Sequence, residues 1–485
     1  MISRGMKLIA VMALPIVVTG CTTAYSAKDA GFLNVSLKSG QATGKQTVWI
    51  QNQQQATEAR ARVKALMARK TIDAETAVQV ALLNNRGLQA AYADLGDSTA
   101  DAWQTQLSVF PTFSVGLSGI GTPGLEAYRV LEGAIAANIL ALATYDRNIR
   151  LAETRFRQAQ LNAAIATISL AAETRRAWIE AVAAWENVAY LNQAKAAADA
   201  ASELAKKIGE AGSLPKAGQA REHVFYAELT GETAKARLAA KLAKEELVRL
   251  MGLSGSDIEF QIPNRLPSLP KALVKRDDIE AEAIHKRMDL QVARLELQAT
   301  AQAYKLEDAT RIVTDIELVG TVEKEREREE DGIVSEISRT AGLEFTIPIF
   351  DSGQARLRKG ELAYMRAANQ LAELAVDVRS QARSAYLSYR SNYDIARHYR
   401  NNVLPLRNAI EEQSLLTYNG MITSTFELIS DTREKIDSTI LAVNAKRDFW
   451  LADANLAPVV YGGSTGSAAA ETEVATSEEA PAGGH

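Results

Sequence analysis

The chain has 485 residues, 55 basic against 59 acidic side chains, one cysteine, four histidines and 6% aromatics. Balanced charge without a basic block excludes an electrostatic footprint for nucleic acid, and so few cysteines and histidines exclude a disulfide scaffold or a thiolate metal site. Few aromatics and much alanine suit long, closely packed helices better than several compact cores, which draw their buried area from large rings.

Residues 1–20 read as a secretory signal, with Arg4 and Lys7 ahead of an apolar run, Leu8–Val18, too short to span a bilayer. The segment ends Val18-Thr19-Gly20-Cys21, which resembles the bacterial lipobox. That resemblance implies cleavage before Cys21, acylation of its thiol and, with threonine at position 22, delivery to the outer membrane. An ordinary signal peptide with an incidental cysteine is the alternative. Several acyl chains would hold the N-terminus firmly. No later stretch offers eighteen consecutive apolar residues, so a mature chain that crosses a membrane does so as β-strands.

Residues 21–70 form a polar N-terminal extension, and beyond it the chain is written twice, over 71–262 and 277–461, with a proline-bearing linker at 263–276. Leu88-Gln89-Ala90-Ala91 answers Leu290-Gln291-Val292-Ala293, Tyr145-Asp146 answers Phe350-Asp351, and Gly212 answers Gly420. Each half reads helix, strand hairpin, very long helix, turn, helix. In the first hairpin Phe113, Val115 and Leu117 alternate with Thr112, Ser114, Gly116 and Ser118, the period of a half-buried strand. The segment Glu132–Thr144 does not alternate cleanly, and its alanine-rich run fits strand or helix. In the second half Ile316, Leu318, Gly320 and Val322 alternate with polar neighbours, as do Ile337, Ala341, Leu343, Phe345 and Ile347, with Arg339 interrupting the apolar side. One apolar and one polar face is the lipid-out, water-in pattern of a membrane barrel; an amphipathic hairpin lying on a soluble core would look the same. The charged run Glu323–Asp331 between these strands is expected to be a solvated loop, because mixed charge is costly to bury.

The very long helices carry a seam. From Tyr364, a 3.5-residue repeat runs through Leu371, Val378, Ala385, Asn392, Tyr399 and Leu406 to Ile410, and a weaker one 208 positions earlier runs from Phe156 to Ala198. Some sixty residues of helix extend roughly 90 Å. Gly212 and Gly420 are expected to turn each long helix back into the next by adopting the left-handed conformation. Residues 462–485 lack periodicity and are expected to be disordered. Trp103, Trp178, Trp185 and Trp450 are expected to pack at helix crossings, and His223, His285 and His398 fall on different predicted helices.

These features resemble the TolC family of outer-membrane efflux proteins, in its lipoprotein branch, over residues 71–456. The resemblance rests on Ala77-Val78-Gln79-Val80-Ala81-Leu82-Leu83-Asn84-Asn85, Arg287-Met288-Asp289-Leu290, Ile347-Pro348-Ile349-Phe350-Asp351-Ser352-Gly353 and Tyr418-Asn419-Gly420, in that order and spacing. It implies a mainly α fold with a small β part, long coiled-coil helices forming an α-barrel, and four strands per chain. Four strands cannot close a barrel, and open edges in lipid leave backbone groups unpaired, so the family's homotrimer, a 12-stranded barrel, answers a physical need. The implied partners are a periplasmic adaptor, met near Gly212 and Gly420, and an inner-membrane transporter; no cofactor, metal or catalytic residue is expected. In the family, carboxylates shortly after the second turn constrict the entrance. Phe426 and Ile429 stand at the aligned places here, so the neighbouring Glu427 and Asp431 become the gate candidates. The expected function is a passive efflux duct; a duct for type I protein secretion and a lipid-anchored periplasmic coiled-coil scaffold are the alternatives.

Overall fold

The computed structural model describes residues 29–68, 71–121, 125, 128–212, 214–329, 332–348, 352–420 and 425–463. Cys21, Ile349-Phe350-Asp351 and the tail from 464 lie outside the described residues. The chain forms two compact units. One takes Tyr92–Ala163 and Leu290–Leu374 with the described residues up to Val35, and the other takes Ser36–Ala91, Ala164–Asp289 and the described residues from Ala375. Each unit therefore draws matching pieces from both halves of the sequence.

The N-terminal extension contains α1 (Phe32–Thr43) and α2 (Gln53–Met67). The strap between them is clasped by two glutamines. Gln79 accepts from Gln46 N–H (3.2 Å) and donates to its carbonyl (2.8 Å), and Gln89 accepts from Ile50 N–H (2.8 Å) and donates to the Val48 carbonyl (2.9 Å). Gln79 sits on α3 (Ala74–Asn84), which begins where the Asp73 carboxylate accepts the Thr76 N–H at 2.7 Å. Helix α3 stops at Asn85 (φ −66°, ψ 123°), whose side-chain oxygen accepts the Leu88 N–H and starts α4 (Arg86–Leu107).

The second half repeats this break. Helix α7 (Ile279–Lys286) stops at Arg287 (φ −66°, ψ 121°) and α8 (Met288–Ala309) follows; α4 and α8 have 22 residues each. The same backbone kink at equivalent positions is the duplication in three dimensions.

Two strands, β1 (Thr112–Ser118) and β2 (Val130–Asn138), precede α5 (Ile139–Glu210), a single helix of 72 residues. The ambiguous segment is therefore strand to Asn138 and helix after it. Asn138 makes the change: its side-chain oxygen caps α5 by accepting the Ala141 N–H, and its amide donates to Asp315, both at 2.7 Å. Helix α6 (Lys216–Met251) ends at Gly252, φ +65°, where Asn84 and Asn85 donate to the last carbonyls, Leu250, Met251 and Gly252, at 2.6–3.1 Å. That contact gives the Asn84-Asn85 pair its physical role. A Cβ at Gly252 would lie 2.9 Å from the Asn84 carbonyl oxygen, so only glycine fits.

After β3 (Asp315–Glu329) and β4 (Gly332–Thr346) come α9 (Gln354–His398), α10 (Leu404–Asn419) and α11 (Thr425–Tyr461). A π-turn, Tyr399–Val403, separates α9 from α10. Pro405 explains it: proline has no N–H for the carbonyl four residues back, and the Leu404 N–H instead bonds Tyr399. The continuous seam expected to Ile410 is thereby corrected. Val378, Ala382, Tyr389 and Ala396 are buried, whereas Leu406 beyond the π-turn is 65% exposed, because one extra residue per turn rotates the repeat off its face. The seam on α5, weaker by sequence, is the better covered, with Ala163, Leu170, Ala177, Ala181, Val188, Leu191 and Ala198 all buried.

Within the helical unit, Leu191, Ala194 and Ala198 of α5 pack on Phe225 and Leu229 of α6, with Ile436 and Ile440 of α11 beside them. Glu186, 2% exposed, accepts from the Leu266 N–H (2.9 Å) and the Lys446 ammonium (2.8 Å). Trp178 and Trp450 donate to the Ile72 and Pro267 carbonyls at 2.9 and 3.0 Å, and Tyr393 donates to that of Pro270 at 3.0 Å, so packed rings also hold the connecting segment.

Candidate functional site

In the first unit the four strands form one antiparallel sheet in the order β1-β2-β3-β4. The register places Phe113, Val115 and Leu117 opposite Ile135, Gly133 and Leu131; these opposite Gly320, Val322 and Lys324; and Ile316, Leu318 and Val322 opposite Phe345, Leu343 and Arg339. Directly paired residues share a face. One face is thus almost wholly apolar, and it is bare: Phe113 is 70% and Phe345 60% exposed. An apolar patch of this extent is an interface for lipid or for other protein. No helix among the described residues is long and apolar enough to cross a membrane.

The charged run corrects the sequence expectation. Glu323 to Glu329 belong to β3, paired residue for residue with β4 from Ser338 back to Gly332. Alternate acid and base suits a strand, because the two-residue period sends the acids to one face and the bases to the other. Glu323, Glu325 and Glu327 join Glu132, Asp315, Glu317, Glu336 and Glu344 on the polar face, while Lys324, Arg326 and Arg339 lie on the apolar one. Three carboxylate pairs stand directly opposite each other: Glu132 and Glu323, Glu317 and Glu344, Glu325 and Glu336. Arg129 reaches Glu325 at 3.3 Å. The polar face is therefore a concentrated negative surface.

In the second unit, α5 turns toward α6 at Gly212, which has φ +79° and open space around a virtual Cβ. Gly420 differs from expectation. It closes α10 with φ −78° and ψ 2°, an ordinary conformation for any residue, so its helix end needs no left-handed glycine.

Glu427 lies exposed in the first turn of α11, where a carboxylate suits the positive helix end. Asp431, one turn on, accepts a hydrogen bond from Ser414 of α10. Two ion pairs continue this ladder between the helices, Glu411 with Lys435 and Arg407 with Glu434, and Arg407 also donates to Ser438 at 3.1 Å. The structure thus brings Asp431 into the α10–α11 seam, one helical turn beyond exposed Glu427. No local pattern of residues marks this ladder, since its members lie 17 to 31 residues apart.

Beside it, a cleft is lined by Arg221, Glu222, Val224, Glu228, Ser430 and Arg433. Arg433 stacks 4.0 Å over Phe225. Burial pushes the Glu222 carboxyl above its ordinary value, and the charges of Arg433 and His223 only partly oppose the shift. His223 meets the Ser202 hydroxyl at 2.5 Å and His398 meets Asn402 at 2.9 Å. Among the described residues no group of three His, Cys, Asp or Glu side chains could hold a metal ion.

The chain matches no protein-family model and no curated protein sequence. Solved structures do match. The outer-membrane channel OprN superposes with a TM-score of 0.67 at 16% identity, over 82% of this chain and 96% of its own. The CmeC outer-membrane channel of Campylobacter jejuni gives 0.67 at 16%, over 80% and 85%, and the outer-membrane protein VceC of Vibrio cholerae gives 0.65 at 15%, over 83% and 97%. The chain has the outer-membrane channel fold. The mainly α architecture with four strands, expected from the sequence, is the one found.

Proposed function

We propose that the chain is a TolC-family efflux duct of the outer membrane, anchored by acylated Cys21 and working as a homotrimer. The observation that carries this reading is the division of the sheet into a mainly apolar face, interrupted by Lys324, Arg326 and Arg339, and an acidic face, with β1 and β4 as its terminal strands. Three copies supply twelve strands, enough for a barrel with an open interior, and closure removes the edges that lipid cannot satisfy. The apolar face meets lipid and the acidic face lines the water-filled path. Energy comes from an inner-membrane transporter coupled through an adaptor at the turns near Gly212 and Gly420, and the chain itself performs passive conduction and gating, with no enzymatic step and no cofactor.

Glu427 and Asp431 serve as gate residues in this proposal. Repeated around a threefold axis, their carboxylates repel one another and attract cations at the entrance. The Ser414–Asp431 contact and the adjacent ion pairs hold α11 against α10, so opening requires that ladder to yield.

Purified full chain in planar bilayers is expected to give discrete single-channel currents and to migrate as a heat-dissociable trimer from outer-membrane fractions. Absence of current, together with a chain that becomes soluble when Cys21→Ala removes the acylation site, would instead establish a lipid-anchored scaffold. With channels in hand, the E427A/D431A variant is expected to open more readily and lose cation preference; unchanged opening and selectivity would remove these two residues from the gate.

A further inference from the structure

Helix α11 is tied on one face and unfinished on the next. Asp431, Glu434, Lys435 and Ser438, which recur every three or four residues, carry the ladder to α10. On the neighbouring face α11 meets α6, where Ile436 and Ile440 pack beside Phe225 and Leu229. From that contact toward the starts of both helices a cleft of about 310 Å³ opens, lined by Arg221, Glu222 and Val224 of α6 and by Ser430 and Arg433 of α11.

Two opposite charges in this cleft stop short of each other. Glu222 is 6% exposed and its Oε2 has no hydrogen-bond partner, and the buried Nε of Arg433 has none either. Among the described residues neither side chain makes an ion pair. The charge of Arg433 reaches the Glu222 carboxyl, yet its guanidinium rests 4.0 Å over the Phe225 ring rather than on the carboxylate. Stacking on a ring is a weak hold, whereas a buried carboxylate without a hydrogen-bonded counter-charge is costly. The other charged groups here do not meet that need: Arg221 and Glu228 are exposed to water, and His223, also exposed, meets Ser202. The open cleft leaves Arg433 room to swing from the ring to the acid.

We propose that Glu222 and Arg433 close into an ion pair when the duct opens, forming a latch that draws the first turns of α11 onto α6. This rests on the duct reading given above. The ladder to α10 and the latch to α6 lie on different faces of the same helix end, so each favours its own position of α11. A packed helix with two alternative sets of contacts switches between them rather than drifting. Glu427 stands in the first turn of α11, so the swing carries that gate residue with it. The Phe225–Ile436 contact, just beyond the cleft, serves as the pivot.

The test compares the full chain with E222Q, R433Q and E222Q/R433Q in planar bilayers, after each has been shown to migrate as the heat-dissociable trimer. Hydrogen bonds between charged groups are strong enough that each single variant should lower the ratio of open to closed time on the order of tenfold or more. The double variant should fall no further than the single ones, because losing one partner already loses the pair. Where a glutamine variant fails to trimerise, E222D or R433K, which keeps the charge but misplaces it, is read in its place with the same expected direction. Unchanged ratios in the conducting variants, a raised ratio, or losses that multiply in the double variant would overturn the latch while leaving the duct standing. If the wild type itself does not conduct, the duct reading falls and takes the latch with it.

Discussion

The facing carboxylates on the polar side of the sheet make an unusual forecast: removing half of each pair should stabilise the protein while degrading its function. Gln at positions 132, 336 and 344 leaves Glu323, Glu325 and Glu317 in place and keeps side-chain shape. Directly opposed like charges on antiparallel strands cost about 0.2–1 kcal/mol per pair, so the three together should return about 0.6–3 kcal/mol per chain. The Glu325–Glu336 share falls at the low end, because Arg129 at 3.3 Å already compensates Glu325. The gain should shrink in high salt, where charge is screened over a few ångströms. If the sheet lines a duct as proposed, conduction should move the other way, because the same carboxylates would draw cations into the path. Heat dissociation of the purified protein at low and high salt gives the first quantity, and the reversal potential under a potassium chloride gradient gives the second. A lower dissociation temperature in the triple variant would show that the pairs are not repulsive. An unchanged reversal potential would place these carboxylates outside the conduction path and refute the assignment of faces.

The two helix turns should respond differently to alanine: G212A forces a side chain into φ +79° and should cost about 1 kcal/mol. G420A occupies an ordinary conformation and should stay within about 0.5 kcal/mol of wild type; equal costs in denaturant unfolding would contradict the backbone difference. Glu222 supplies a pH signature. Its folded value is raised by burial, so its contribution to stability is complete below about pH 4.5, the ordinary value, and is lost as pH rises through the folded value. E222Q should therefore melt above wild type at neutral pH, with the gap closing as pH falls toward 4.5, and a gap independent of pH would show that the carboxyl is not the cause.

Much of the architecture was legible in the residues. The alternation of Phe113, Val115 and Leu117 announced a strand because a pleated backbone has a period of two, and the repeated Leu-Gln-x-Ala segments announced the duplication, which the structure shows as matching kinks at Asn85 and Arg287. Helical periodicity marked the seams, and alanine marked their close packing. Local patterns of this kind are visible because they depend on neighbours within a few positions.

What the sequence could not give was whatever depends on a distant partner. The run from Glu323 has the composition of a solvated loop, and only pairing with β2 and β4 makes it a strand that sorts acids from bases. Asn138 is ambiguous until Asp315 lies beside it. Asp431 is a helix-face carboxylate until Ser414 reaches it from α10. The seam on α9 looks continuous to Ile410, yet Pro405 and the π-turn rotate it away, and the weaker repeat on α5 is covered where Phe225 and Leu229 of α6 pack on Leu191, Ala194 and Ala198. Composition and periodicity determined which segments are helix and which strands have a greasy side. Tertiary pairing alone decided which charges share a face, because charge carries no period of its own until a backbone partner fixes the pleat.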